Sequence, residues 1–241
     1  MHKFYSIILI FIFLNTSCIA QVESNKDWQL LIPSEGLDGW HYYQGKKSNK
    51  TGWSNENGVL VFNSSFKKGN EDNSLVTDKK FTSFKIYFEW KVSAGGNSGF
   101  MWGVNEDNKY THPFSTGPEI QILDVTYSDG SKPNPKHSAG ALYDLIAPEE
   151  NVNKKAGEWN SFLITIDHIK NYGEVIHNGT IVSRFMLSGD SWDEMVKNSK
   201  FSNLDDKSFS HGDFGKFKTG HLVIQDHPGI ISYRNMKILE L

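Results

Sequence analysis

The feature that most constrains the fold is a series of short runs rich in Val, Ile, Phe, Tyr and Trp, separated by clusters of Gly, Asn, Asp and Ser. Apolar and polar residues alternate in most of these runs, and a two-residue period is that of a β-strand with one buried face. The runs lie at 58–63, 83–92, 98–104, 119–123, 160–169, 172–187, 220–227 and 230–241. Asn178-Gly179 interrupts the run 172–187 and predicts a hairpin with a two-residue turn.

The rest of the chain contributes one predicted helix and two long polar loops. Residues 191–201 favour a short helix with Ser191 as its N-cap. The polar stretches 105–118 and 125–138 exceed normal connection length, and such loops in a compact domain usually carry function. Many strands with almost no helix predict an all-β jelly-roll β-sandwich, with one concave sheet face, long rim loops and one short helix.

The first 20 residues have the layout of an export signal. A basic start precedes the apolar run 4–14, which is too short to span a membrane, and small and polar residues follow. Cleavage after Ala20 would release a soluble protein of residues 21–241, which we expect to form a single domain. Cleavage before Cys18 would instead leave that residue for lipid attachment, the one membrane contact that the sequence predicts. Both alternatives give an exported protein, which is periplasmic, extracellular or anchored by lipid in the outer membrane.

Charge and composition limit the partners. The chain has 25 Lys and Arg against 28 Asp and Glu, and a formal net charge of −3. It has no basic block or stripe, which argues against a nucleic-acid partner. Cys18 is the only cysteine, so the mature protein contains no disulfide and no cysteine-bound metal. Aromatic residues make up 13% of the chain, which suits a sugar-binding protein and a plain sandwich core almost equally.

The motif "EIQILD" at 119–124 has a fault in its alternation. In an unbroken strand Glu119 and Gln121 share a face and Asp124 points the other way. A β-bulge between Gln121 and Asp124 would bring all three onto one face, a device that resembles the active site of laminarinase-type jelly-roll glycosidases. Glu119 would then be the nucleophile and Asp124 the acid/base, about 5–5.5 Å apart. Alternatively, Glu119 and Gln121 line a solvated sheet face and Asp124 begins a turn.

Three further segments supply candidate binding residues. His137 precedes Tyr143 and Asp144, and a histidine oriented by such neighbours is a proton carrier near neutral pH, although a surface histidine followed by a structural tyrosine fits as well. Strand alternation also places polar side chains together near the C-terminus, and two aromatic residues on one face of the run 98–104. Those candidates are Gln225, His227 and Arg234 as sugar or carbonyl ligands, and Trp102 as a sugar platform or core residue.

No motif establishes a cofactor. The chain has no dinucleotide fingerprint, no serine-elbow motif and no metal-ligand helix. A divalent metal ion is compatible with His112, His137 and His227 acting together with Glu119 or Asp124, but no spacing favours it.

Taken together, these segments resemble the 3-keto-disaccharide hydrolase domain family. The matching segments occur in the family's order and cover nearly all of the mature chain: "WQLLIPSEGLDGWHYY" (28–43), "GNSGFMWGV" (96–104), "GPEIQILD" (117–124), "HSAGALYDLIAPEE" (137–150), "GEWNSFLIT" (157–165), "VIHNGTIV" (175–182) and "GHLVIQDHPGIISYRNMKI" (220–238). One departure is the proline after His227, where relatives more often carry glycine. The resemblance implies a concanavalin A-like jelly roll.

The resemblance also implies a reaction. The family's substrates are glycosides oxidised to a ketone at C3, which acidifies the C2 proton, so that a base expels the aglycone from C1 and hydration of the enone completes a net hydrolysis. Glu119 and His137 are then the base and acid candidates, in either order. The expected ligands of the sugar or enolate are Gln121, Asp124, Tyr143, Asp144, Gln225, His227 and Arg234.

The same resemblance implies a functional link to a separate nicotinamide-dependent sugar 3-dehydrogenase, which would oxidise the substrate. Two alternatives stay open at this point. One is a conventional retaining endo-glycanase that uses Glu119 and Asp124. The other is a non-catalytic carbohydrate-binding domain that uses Trp102 or another aromatic residue as its platform.

Overall fold

Thirteen strands and one α-helix form in the residues that the computed structural model describes, which are 27–47, 49–127, 132–202 and 212–241. The predicted export signal, including Cys18, lies outside them. The strands are β1 (Gln29–Leu30), β2 (Trp40–Tyr42), β3 (Trp53–Glu56), β4 (Val59–Asn63), β5 (Leu75–Phe81), β6 (Phe84–Val92), β7 (Asn97–Val104), β8 (Glu119–Leu123), β9 (Asn160–Asp167), β10 (Tyr172–His177), β11 (Thr180–Phe185), β12 (Gly220–Ile224) and β13 (Ile230–Glu240). The helix α1 is Asp190–Lys197.

The strands pair into two antiparallel sheets. The first has the order β11-β10-β9-β6-β13-β4-β3, with β1 also paired to β13, and the second has the order β2-β5-β12-β7-β8. Consecutive strands often belong to different sheets, as β5, β6 and β7 do, so the chain crosses repeatedly between layers. The predicted all-β jelly-roll sandwich with one short helix is confirmed. No helix among the described residues is long and apolar enough to cross a membrane.

The local predictions had mixed outcomes. Each of the eight predicted runs contains at least one strand, and Asn178 and Gly179 both have positive φ, as the hairpin turn requires. Four strands, β1, β2, β3 and β5, were not predicted, because three of them are only two to four residues long and β5 carries three consecutive exposed residues. The N-cap prediction for Ser191 was wrong, since the N-cap is Gly189, two residues earlier, and the helix begins at Asp190.

The core between the sheets is built from aromatic rings. Phe88 on β6 is fully buried, and its ring centroid lies 5.6 Å from Phe100, 5.7 Å from Phe162 and 6.2 Å from Tyr233. Because Phe100 is on β7, the contact with Phe88 joins the two layers. Buried rings at these separations contribute both area burial and ring–ring contacts to stability.

Removal of the Phe88 ring is expected to destabilise the sandwich. We predict that Phe88→Ala lowers the free energy of unfolding by about 3–5 kcal/mol, because it removes a buried ring and leaves a cavity between the layers. Phe66→Ala makes the same chemical change at a side chain that is 65% exposed. Denaturant unfolding of both variants tests the prediction, and equal losses of stability would contradict it.

Candidate active site

The candidate site lies on the outer face of the second sheet. Strand alternation turns Phe100, Ile120 and Leu222 toward the core, which leaves their strand neighbours on the opposite face. On that face Glu119 is the cross-strand partner of Met101, and Gln121 is the partner of Gly99. The backbone N–H of Gln225 donates to the carbonyl oxygen of Gly99, so that this residue lies beside β7 from the other side.

The predicted β-bulge after Gln121 is wrong. The pairing of β7 with β8 runs without a register shift from Met101–Glu119 to Asn97–Leu123, and the N–H of Asp124 continues it by donating to Gly96. Glu119 and Gln121 therefore share a face by simple alternation. Asp124 instead folds back on its own turn.

Asp124 holds this turn through its carboxylate. The oxygen Oδ2 accepts hydrogen bonds from the N–H of Gly95 at 2.9 Å and from the N–H and hydroxyl of Thr126. Burial alone would raise the pKa of Asp124, but these hydrogen bonds hold it below its usual range. An ionised carboxylate committed to a turn is a poor general acid, which argues against Asp124 as the acid/base of a retaining glycosidase.

Gly99 provides the space in which Glu119 is buried. A Cβ atom at residue 99 would overlap the Glu119 carboxyl group, so the absence of a side chain lets the carboxyl group lie across β7. Glu119 is only 6% exposed. None of the hydrogen bonds among the described residues involves its carboxylate oxygens.

Burial makes Glu119 a base that works near neutral pH. Its pKa rises to about 7 because burial penalises the charged form, and the nearby Lys200 ammonium only partly opposes this rise. Proton transfer is most efficient when the pKa of the base lies near the working pH. The carboxylate therefore has the burial and the pKa of a general base.

His137, Tyr143 and Asp144 lie together on the segment that packs against the edge of β8. His137 Nε2 lies 2.8 Å from Asp144 Oδ1, and the His137 ring stacks on Tyr143 with centroids 4.5 Å apart. The N–H of Tyr143 donates to the carbonyl oxygen of Glu119 at 2.9 Å, which holds this segment against the edge of β8. A carboxylate that accepts from one ring nitrogen orients a histidine and leaves its other nitrogen for proton exchange.

Lys200 is a residue of the site that the sequence analysis missed. It begins the 3₁₀ turn Lys200–Ser202 after α1, its N–H donates to Asp144 Oδ2 at 2.7 Å, and its ammonium lies 4.2 Å from the Tyr143 ring centroid. The residue as a whole keeps solvent exposure. Loss of water around the ammonium lowers the pKa of Lys200, and the charges of Glu119 and Asp144 oppose this effect. No local motif predicts that Lys200 lies in the site, since its hydrogen bond to Asp144 joins segments that are far apart in the sequence.

Two adjoining cavities give the site its shape. Asn97, Gln121, Tyr143 and His227 line both of them. The smaller, of about 130 Å³, is completed by Phe114, Glu119, Lys200, Phe201 and Gln225. The larger, of about 590 Å³, includes Asp124, His137 and the amides Asn134, Asn151 and Asn153. A reactive centre therefore adjoins a wider polar chamber.

Polar atoms on the shared wall lack protein partners. Asn97 Oδ1 and His227 Nδ1 are buried and form no hydrogen bond with the described residues. Burial also lowers the pKa of His227, which favours the neutral imidazole. Buried polar atoms are rarely left unpaired, so these two are candidate contacts for a polar ligand. Asn97 was not predicted, although it shares its sheet face with Gly99.

Two predicted ligands lie elsewhere. Trp102 is buried between the sheets, where its ring stacks on Phe185, so it cannot form a platform in the cleft. Arg234 lies on β13 of the first sheet, where it donates to Glu89 at 2.6 Å and covers the Trp159 ring. The chain changes sheets between β12 and β13, and this separates Arg234 from Gln225 and His227, which do line the site.

The structure gives no support to a metal site among the described residues. They contain no group of three or more His, Cys, Asp or Glu side chains placed to hold an ion. Among the histidines considered as metal ligands, His112 stacks on Phe114, and its Nδ1 lies 3.4 Å from Asp72 Oδ2.

Comparison with known proteins assigns the family. The profile of the 3-keto-α-glucoside-1,2-lyase-like domain matches residues 27–239. The chain belongs to this family. A relative from Bacteroides thetaiotaomicron, named 3-keto-disaccharide hydrolase, is 31% identical over 229 residues, which cover 86% of this chain and 76% of the relative. The predicted family resemblance is thereby confirmed, and the protein is a glycoside hydrolase-like enzyme.

Solved structures show the same architecture. A protein from Parabacteroides distasonis, assigned provisionally to the glycosyl hydrolases, superposes with a TM-score of 0.77 at 30% identity, covering 89% of this chain and 94% of its own. A second protein from that organism superposes with a TM-score of 0.62 at 24% identity, covering 89% and 99%, and this similarity supports the fold alone. The lyase-like domain therefore occupies the whole sandwich described above.

The raised pKa of Glu119 predicts a pH-dependent stability of this lyase-like domain. The unfolded chain releases the Glu119 proton near its ordinary value of 4.5, whereas the folded protein keeps it until about pH 7. The folded state binds more protons in that window, so this group lowers stability as pH rises through it, by on the order of 3 kcal/mol. We predict that Glu119→Gln is more stable than the wild type at pH 8 and similar to it at pH 4.

Urea unfolding at the two pH values measures this difference. Glu150→Gln, the same change at an exposed residue, serves as the control. The prediction is contradicted if the stability of Glu119→Gln relative to the wild type is the same at pH 8 as at pH 4, because burial would then not disfavour the charged carboxylate.

Proposed function

We propose that this enzyme cleaves 3-keto glycosides by elimination followed by hydration, with Glu119 as the base. The observation that carries this proposal is a buried Glu119 carboxylate whose pKa is about 7, on the wall of a small cavity that opens into a larger polar one. A 3-keto sugar needs one such base at C2. The family profile and the name of the Bacteroides relative point to the same substrate class.

The reaction proceeds in three balanced steps. Glu119 accepts the C2 proton, and the electrons of the C2–H bond form an enolate with the C3 oxygen. The enolate then re-forms the ketone and a C1–C2 double bond while the C1–O bond breaks, and the departing oxygen takes up a proton. Water finally adds across the enone, with its oxygen at C1 and a proton returned to C2, which gives the free 3-keto sugar.

The His137–Asp144 pair is the source of the leaving-group proton in this proposal. His137 lines the larger cavity, and Asp144 accepts a hydrogen bond from its Nε2. The leaving group would occupy that cavity, where the amides of Asn134, Asn151 and Asn153 can bind its hydroxyl groups. The sugar ring that carries the ketone would then lie beside Glu119.

A comparison of three substrates tests the proposed function. We expect the protein to cleave a 3-keto disaccharide and to leave the unoxidised disaccharide and a β-glucan intact, because only the ketone acidifies C2. Glu119→Gln should lower kcat by about 10²–10⁴-fold through loss of the base, and Glu150→Gln should not change it. Cleavage of the glucan would instead support a conventional endo-glycanase.

Isotope exchange tests the elimination step itself. In deuterated water the recovered 3-keto sugar should carry deuterium at C2, and kcat/KM should rise with pH up to about 7 as Glu119 loses its proton. Product formation with neither exchange at C2 nor an isotope effect on substrate deuterated there would contradict proton abstraction at this carbon.

We further propose that the protein is exported and acts after a separate sugar 3-dehydrogenase. The support for export is the signal-like segment 1–20, and the support for the dehydrogenase is the ketone that the substrate must already carry. Cell fractionation tests export, and retention in the cytoplasm would contradict it. Cys18→Ser separates the two anchoring alternatives, because it should release the protein from membranes only if a lipid is attached there.

A further inference from the structure

We propose that Lys200 is a catalytic residue, whose ammonium group binds the C3 carbonyl oxygen and stabilises the negative charge that develops there when Glu119 removes the C2 proton. This inference rests on the proposed function, since it assigns a role within the same reaction. It gives that reaction the second group that enolate formation requires, a positive charge placed where the new charge appears.

The small cavity brings the two groups to one place. Glu119 and Lys200 both line it, from the edge strand β8 and from the turn after α1. C2 and C3 of the substrate are bonded neighbours, so the base and the stabilising group must lie on the wall of the same chamber. The mutual effect of Glu119 and Lys200 on their pKa values shows that the two charges interact.

The other groups on this wall cannot supply the charge. Asn97, Gln121 and Gln225 carry neutral amides. Burial lowers the pKa of His227 against the opposing effect of Asp72, and the Lys200 charge lowers it further, which favours the neutral imidazole. Among the described residues that line the small cavity, Lys200 therefore provides the ammonium group that an enolate oxygen would bind.

The fold positions Lys200 through its backbone and through two rings. Its N–H donates to Asp144 Oδ2, while the other oxygen of Asp144 contacts His137, so one carboxylate places both residues. The ammonium lies 4.2 Å from the Tyr143 ring centroid and 5.3 Å from that of Phe201. These cation–π contacts hold the ammonium beside two rings that line the small cavity.

Substitution of Lys200 tests the assignment. We expect Lys200→Gln to lower kcat and the rate of C2 deuterium exchange in parallel by about 10²–10³-fold, the usual effect of removing one donor to an oxyanion, with KM changed only a few-fold. Lys200→Arg keeps the charge and should recover part of the loss. Lys197→Gln, an exposed lysine in the last turn of α1, is the matched control and should retain full activity.

The titration of Glu119 gives a readout that a purely structural role would not change. The titratable groups that interact with the pair are the phenol of Tyr233 near Glu119, and Asp144 and His227 near Lys200. Lys200 lowers the pKa of Glu119, so Lys200→Gln should shift the Glu119 midpoint to higher pH. NMR titration of the labelled carboxyl group measures this shift without substrate, and Lys197→Gln should leave the midpoint in place.

The outcomes separate this inference from the function on which it rests. If the wild type fails to exchange C2 of a 3-keto sugar, the proposed function and the role of Lys200 both fail. If the wild type exchanges and Lys200→Gln exchanges as fast, or leaves the Glu119 midpoint unmoved, only the role of Lys200 fails. Borohydride trapping of a sugar adduct on Lys200 would also overturn it, because the ammonium would then have acted as a covalent nucleophile.

Discussion

Burial of the Glu119 carboxyl group carries a free-energy cost that the surrounding sandwich has to offset. The carboxyl group lies over Gly99, on a sheet whose other face packs against a core of aromatic rings. Without protein hydrogen bonds, its charged form is disfavoured and the pKa rises to about 7. The same environment that weakens the folded state at high pH therefore creates the base on which the proposed reaction depends.

The edge of β8 organises the rest of the site. An edge strand presents unpaired N–H and C=O groups, and here residues 140–143 cover them, with hydrogen bonds from Gly140 to Gln121 and from Tyr143 to Glu119. This pairing brings the segment that carries His137 and Asp144 to the edge of β8, next to the backbone of Glu119. Asp144 takes up a left-handed backbone conformation, with φ of 62°, directly after the paired residues. Its two oxygens then contact His137 and the backbone of Lys200.

The site is divided into two cavities, which suits a glycoside because its sugar ring and its leaving group are two separate parts. The small cavity holds the groups suited to enolate chemistry, and the larger one is lined by His137 and several amides. The residues shared between them, including Gln121 and His227, lie where the bond to be broken would cross. In a conventional retaining glycosidase two carboxylates would flank this bond, whereas here Asp124 is committed to a turn.

Alternation of apolar and polar residues was enough to predict nine of the thirteen strands, the hairpin at Asn178-Gly179 and the shared face of Glu119 and Gln121, because a strand's side-chain period is a local property. Local pattern could not show which sheet each strand joins. Of the two alternatives for Trp102, the core residue is therefore the correct one, and Arg234 lies on the other sheet and not in the predicted site. The predicted bulge at Asp124 was wrong, because this acid accepts hydrogen bonds within a turn and the strand pairing needs no register shift.

The amino-acid sequence by itself determined the sandwich, the family and the presence of Glu119, Gln121 and His137 on candidate surfaces. Only the tertiary structure decided the electrostatics of the site. The pKa of Glu119 depends on the loss of water around it, and the electrostatic interaction between Lys200 and Glu119 joins residues about eighty positions apart. Burial and long-range charge pairing arise from packing, so no pattern within a single segment records them.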